Sequence, residues 1–103
     1  MSMAISSNDF PKEYEVIRAV WDMWSSGQEI GDVEKLAYYV VRERIYETLY
    51  AKDGNNRNFL KWNESQIGIY GIREELNFEI PCGHSTNPVL DDFLLGLAVE
   101  TAK

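Results

Sequence analysis

A chain of 103 residues fits one domain, and its 45% hydrophobic content, with three Trp, six Tyr and four Phe, supplies enough apolar surface for a single packed core and argues against global disorder. Lys and Arg number 10 against 17 Asp and Glu, a formal charge of −7, which opposes direct DNA or RNA binding because a phosphate-binding surface needs a basic stripe. One cysteine excludes an internal disulfide and a cysteine-rich zinc site, so the fold has to stand on packing and the reducing cytoplasm is the expected setting.

The opening MSMAISSNDF has neither the basic nor the apolar region of a secretory signal, and no apolar run approaches the roughly 18 residues of a membrane span. A soluble, cytoplasmic protein with no membrane partner is expected. Residues 1–8 are small and polar without periodicity and read as a flexible terminus, and residues 9–103 read as one helical domain. Asp9 is a candidate helix cap, Pro11 suits a first turn, and Val16, Ile17, Val20, Trp21 and Trp24 recur at helical spacing before Gly27. The spacing predicts a first helix over residues 11–26, with Trp21 and Trp24 in the core.

Asp32 opens a second predicted helix, over residues 32–51, in which Val33, Ala37, Val41, Ile45 and Leu49 form a stripe four apart. Tyr39, Tyr46 and Tyr50 lie on another flank of it, so this helix offers two faces to partners. Two accounts fit. Either the helix is central and contacted on several sides, or the tyrosine flank is exposed and anchors a partner, as aromatic residues do at interface hot spots. Arg42, Arg44 and Arg57, interspersed with Glu43 and Glu47, read as solvated pairs.

Residues 52–58, KDGNNRN, read as an exposed polar loop. Beyond it, Asn63 with Gln66 resembles a capping box, Trp62 resembles the outer half of a hydrophobic staple, and Ile69, Ile72 and Leu76 have helical spacing. These features predict a third helix over residues 63–77. Gly68 and Gly71 weaken it, and the alternation around Ile67 and Ile69 leaves a short β-element within residues 66–80 as the alternative. Gly68 and Gly71 also make a shallow notch where another element can come close.

The stretch PCGHST, residues 81–86, holds the chain's one cysteine and one histidine, Cys82 and His84. A thiolate and its base normally come from distant parts of a chain, and a third group orients the base, so this segment is expected to be a connector. Too few nitrogen and sulfur ligands are present for zinc, and no cofactor is expected. Asn87 followed by Pro88 then starts a last helix, over residues 88–101, with an apolar face of Val89, Leu90, Phe93, Leu94, Leu97 and Ala98.

The expected fold is therefore all-α, a compact bundle of about four helices with the second one central. The expected function is that of a small acidic, non-enzymatic protein that binds a larger protein with a basic surface. Inhibitors and adaptors are of this type, including bacterial and phage accessory proteins that block a host nuclease or other nucleic-acid-binding complex. Tyr39, Tyr46, Tyr50, Glu43 and Glu47 are the candidate partner-binding residues. The alternatives are a structural homodimer burying the same flank, and a thiol-dependent enzyme or ligand-binding domain using Cys82 and His84.

Overall fold

Backbone groups at helix ends need partners, and the turn residues of this chain supply them. The computed structural model describes residues 9–78 and 87–101. Among these are four helices and no strand: α1 (Pro11–Ser25), α2 (Asp32–Asp53), α3 (Asn56–Glu75) and α4 (Pro88–Thr101). The segment PCGHST, with Cys82 and His84, lies outside the described residues, as do residues 1–8.

Pro11 occupies the first turn of α1 behind Phe10, and no side chain caps this end, so Asp9 is not the cap its position suggested. At the other end Gln28 donates its N–H to the Met23 carbonyl at 3.0 Å and Gly27 to that of Trp24 at 3.1 Å. This is a Schellman motif, and it requires the left-handed backbone that Gly27 adopts at φ 84°. Glu34 opens α2 by accepting the Gly31 N–H at 3.0 Å, the return arm of a capping box, which is why this carboxylate is buried.

The expected loop over 52–58 is corrected to a turn of two residues, Gly54 and Asn55. Gly54, at φ 65°, closes α2 through its N–H to the Tyr50 carbonyl at 2.8 Å. Asn55 then caps α3 by accepting the Arg57 N–H at 2.8 Å, while Asp53 accepts the Asn55 N–H at 2.9 Å and the Asn58 amide at 3.1 Å. The polar residues are thus helix ends rather than a loop, and α3 starts at Asn56 instead of residue 63. Trp62, Asn63 and Gln66 consequently fall inside the helix, where they are neither staple nor cap. Residues 66–75 are helical through both glycines, so the β-element has no counterpart among the described residues. Asn87 behaves as expected, accepting the Val89 N–H at 2.9 Å in front of Pro88.

α2 is the hub: α1, α3 and α4 all pack on it, and α1 also meets α4. The core joins Val16, Ala19, Val20 and Met23 of α1 to Leu36, Ala37, Val40 and Val41 of α2 and Leu90 and Leu94 of α4. Of the stripe expected on α2, Ala37, Val41 and Ile45 are buried and Val33 and Leu49 half-buried. The principal extents are 36 × 31 × 21 Å, and a short axis of two helix diameters leaves few positions beyond the reach of water. Trp21 and Trp24 are not core residues; they are 57% and 70% exposed. At about 100° per residue, Val16, Ala19, Val20 and Met23 fill a narrow arc that faces α2 and α4, and the two tryptophans lie round its side.

Candidate protein interface

The two flanks of α2 have different chemistry. One supplies the aliphatic core, and the other, bearing Tyr39, Arg42, Glu43 and Tyr50, meets α3 in a seam of aromatic and polar contacts. A Cβ at Gly68 would stand 3.0 Å from three atoms of the Tyr39 ring, so the Gly68 half of the glycine notch expected on α3 is filled from within the molecule, while a Cβ at Gly71 would meet nothing within 4 Å. Trp62 donates its indole N–H to Glu43 Oε2 at 2.8 Å. Tyr50 stacks on Trp62 with ring centroids 6.1 Å apart and meets Phe59 at 5.4 Å.

Arg42 is the ionic element of this seam and not a solvated surface charge: its Nη1 lies 2.8 Å from Glu64 Oε1, and its side chain is only 13% exposed. Burial by itself lowers the pKa of Arg42, but the hydrogen bond to Glu64 and the proximity of Tyr38, Glu64 and Tyr46 outweigh that, and the net shift is upward. The guanidinium carbon also stands 5.4 Å from the Tyr46 ring centroid and 6.0 Å from that of Tyr38, within cation–π range. Arg44 instead ties α2 to α4, pairing with Glu100 at 3.5 Å over the Phe93 ring.

Of the residues singled out on the second helix, Tyr39, Glu43 and Tyr50 are therefore engaged by α3, Tyr46 lies at the edge of a groove, and Glu47 is exposed. The aromatic surface left open lies on the other side. Trp21 stands between two adjoining grooves of the α1–α2 junction, and Tyr38 forms a wall of both. The larger, about 590 Å³, runs past Tyr14, Ile17 and Arg18 to Arg42 and Tyr46. The smaller, about 280 Å³, is bounded by Val20, Trp24, Ile30, Lys35 and Tyr39.

Sequence reasoning missed this surface because it weighted the tryptophans by size. The signal that finds it is the compact series Val16, Ala19, Val20, Met23, which satisfies the core by itself and leaves Trp21 and Trp24 outside. Two other features are weaker candidates. The outer side of α3 exposes Leu60, Ile67 and Tyr70. An opening of about 710 Å³ between α1 and α4 is bordered by Glu13, Glu15, Asp92 and Glu100 with Lys12 and Arg44, yet no group of three or more metal-ligating side chains comes together among the described residues. No described helix is long and apolar enough to cross a membrane.

No family model, no curated protein and no solved structure matches this chain.

Proposed function

We propose that this protein is non-enzymatic and acts as an inhibitor or adaptor that binds another protein through the grooves beside Trp21. The observation that carries the reading is the exposure of two tryptophans on one helix, 57% for Trp21 and 70% for Trp24, at the walls of grooves that also contain Tyr38. A small domain that leaves large aromatic rings in water gives up their burial energy, and such surfaces mark interaction sites. Trp and Tyr are also the residues that dominate binding energy at interfaces, because rigid aromatic area is buried at little entropic cost.

Capture from a lysate of the native host tests this, using the tagged wild-type chain beside a W21A/W24A variant at low and high salt. Recovery of one protein in stoichiometric yield by the wild type, and its loss with the variant, is the expected result. Equal capture by a variant with unchanged helical circular dichroism removes the tryptophans from the account.

A homodimer is the second reading, and the observation favouring it is on α3. Among the described helices it packs on α2 alone, and it exposes Leu60, Ile67 and Tyr70 by 57%, 66% and 60%. Leu60 and Ile67 are one heptad apart, a spacing suited to a helix-to-helix contact between copies. Sedimentation at micromolar concentration separates the readings: a dimer that dissociates in I67E supports self-association through α3, and a strict monomer removes it.

A further inference from the structure

The lining of the two α1–α2 grooves runs against the charge of the chain. With Lys and Arg at 10 and Asp and Glu at 17 overall, the grooves are nevertheless lined, among the described residues, by Arg18, Lys35 and Arg42 and by a single carboxylate, Asp22. Arg42 is committed to Glu64. Arg18 and Lys35 are exposed, one in each groove on opposite sides of Trp21, and neither takes part in an ion pair among the described residues.

We infer that the occupant of these grooves is an acidic amphipathic segment of a partner protein, with its apolar side chains against Trp21, Trp24 and Tyr38 and its carboxylates on Arg18 and Lys35. This rests on the protein-binding reading above and adds the chemistry of the ligand. The physical case is complementarity at contact range. An apolar anchor has somewhere to go, since the two grooves offer about 280 and 590 Å³ beside exposed indoles. A neighbouring carboxylate meets Arg18 or Lys35 on either side, whereas a basic segment would set like charges against those two, with Asp22 the one carboxylate among the described lining residues. The net charge of −7 governs the field at a distance, and screening confines that field to roughly 10 Å at ordinary salt, so the groove's own side chains decide what is held once contact is made. Single-stranded nucleic acid also combines negative charge with flat rings, but it brings a continuous line of phosphates that the carboxylates elsewhere on this chain repel.

The test is selection of random peptides displayed on filamentous phage against three immobilised, folded proteins: the wild type, W21A, and the charge-reversed R18E/K35E. The expected result is enrichment of peptides in which Asp or Glu flanks Trp, Phe or Leu. Their binding should be lost in W21A and weakened about tenfold in R18E/K35E, the loss of two charged rim contacts amounting to about 1.4 kcal/mol. Enrichment of neutral or basic peptides that still depends on Trp21 overturns the acidic-segment inference and leaves the groove as a protein-binding site. Absence of any Trp21-dependent peptide overturns both. Oligothymidine binding that is abolished in W21A, measured in parallel, overturns the assignment of the occupant as a peptide.

Discussion

Gly68 of α3 lies directly against the ring of Tyr39 of α2, so close that a Cβ on the glycine would stand 3.0 Å from the ring's Cγ, Cδ1 and Cε1. This contact sets how near the two helices approach. Gly68→Ala brings opposing effects: a helical alanine gains about 1 kcal/mol over glycine, while overpacking a filled contact costs about 1 to 3 kcal/mol. Tyr38 meets the same ring edge-on at a centroid distance of 5.5 Å. The expected net result is destabilisation by about 1 kcal/mol, read as a lower urea midpoint. Gly71 is the control, since a Cβ there meets nothing within 4 Å. Gly71→Ala is expected to stabilise the protein by up to about 1 kcal/mol, and the opposite order of the two variants refutes this account of the seam.

The indole of Trp62 and the carboxylate of Glu43, 2.8 Å apart, are both half-buried. Removing either one leaves the other without this partner, so each single variant is expected to cost more than the bond itself contributes. W62F and E43A should each destabilise by about 1 to 3 kcal/mol, with a double-mutant-cycle coupling of about 1 kcal/mol or more because the acceptor is charged. E43Q keeps an acceptor oxygen and is expected to lie closer to the wild type. Additive losses in the cycle, measured by denaturant unfolding, show that the contact contributes no coupling energy.

These contacts also show where the fold was legible. The four-apart stripe of α2 and the Asn87–Pro88 start of α4 are strong local signals, and both are realised: Ala37, Val41 and Ile45 are buried and Asn87 caps its helix. The second face of α2 was readable from Tyr39 and Tyr50, but not that α3 covers it, because the seam depends on side chains brought together by a two-residue turn. That turn was obscured by composition. Asp53, Asn55 and Asn58 are turn-formers by propensity, and here they use the same hydrogen-bonding capacity to end one helix and begin the next. Asn56, Arg57 and Asn58 therefore looked like loop, where the Asn55 cap on the Arg57 N–H starts α3 and carries it through them. The grooves beside Trp21 were missed for a different reason: large apolar residues are assigned to a core by default, although Val16, Ala19, Val20 and Met23 already give α1 its core face.

Acid should weaken the seam through Glu64. The hydrogen bond from Arg42, and then the attraction of its charge, hold the Glu64 carboxyl below its ordinary value of 4.5, with Lys61 adding to the effect and burial opposing it. Because the folded pKa is the lower one, the unfolded chain binds more protons in this range and stability rises with pH. The contribution is fully present above pH 4.5 and is lost as pH falls through the folded pKa. Glu64 is 65% exposed, and solvent screening keeps such a contribution to less than about 1 kcal/mol. E64Q is expected to be slightly less stable than the wild type at neutral pH and to converge with it in acid. Unfolding curves collected across that range check it, and a gap that stays constant with pH denies the carboxylate its role.

The exposure of Trp21 and Trp24 makes a prediction about stability as well as binding. If the core of α1 is complete with Val16, Ala19, Val20 and Met23, then removing both indoles deletes rings that stand mostly in water, 57% and 70% exposed. W21A/W24A is therefore expected to unfold within about 0.5 kcal/mol of the wild type, since substitutions away from packed features cluster in that range. Met23→Ala, in contrast, empties a site that is 5% exposed and should cost about 2 to 5 kcal/mol. Iodide quenching gives an independent reading of the same geometry: Trp21 and Trp24 are accessible while Trp62 is partly shielded by Tyr50 and Phe59. Most of the quenchable emission should therefore vanish in W21A/W24A. A partner that binds this face is expected to protect the same emission, so loss of iodide quenching on complex formation, without any change in stability of the free variant, ties the exposed indoles to recognition and not to the fold. Quenching that persists in the complex places the partner elsewhere on the surface.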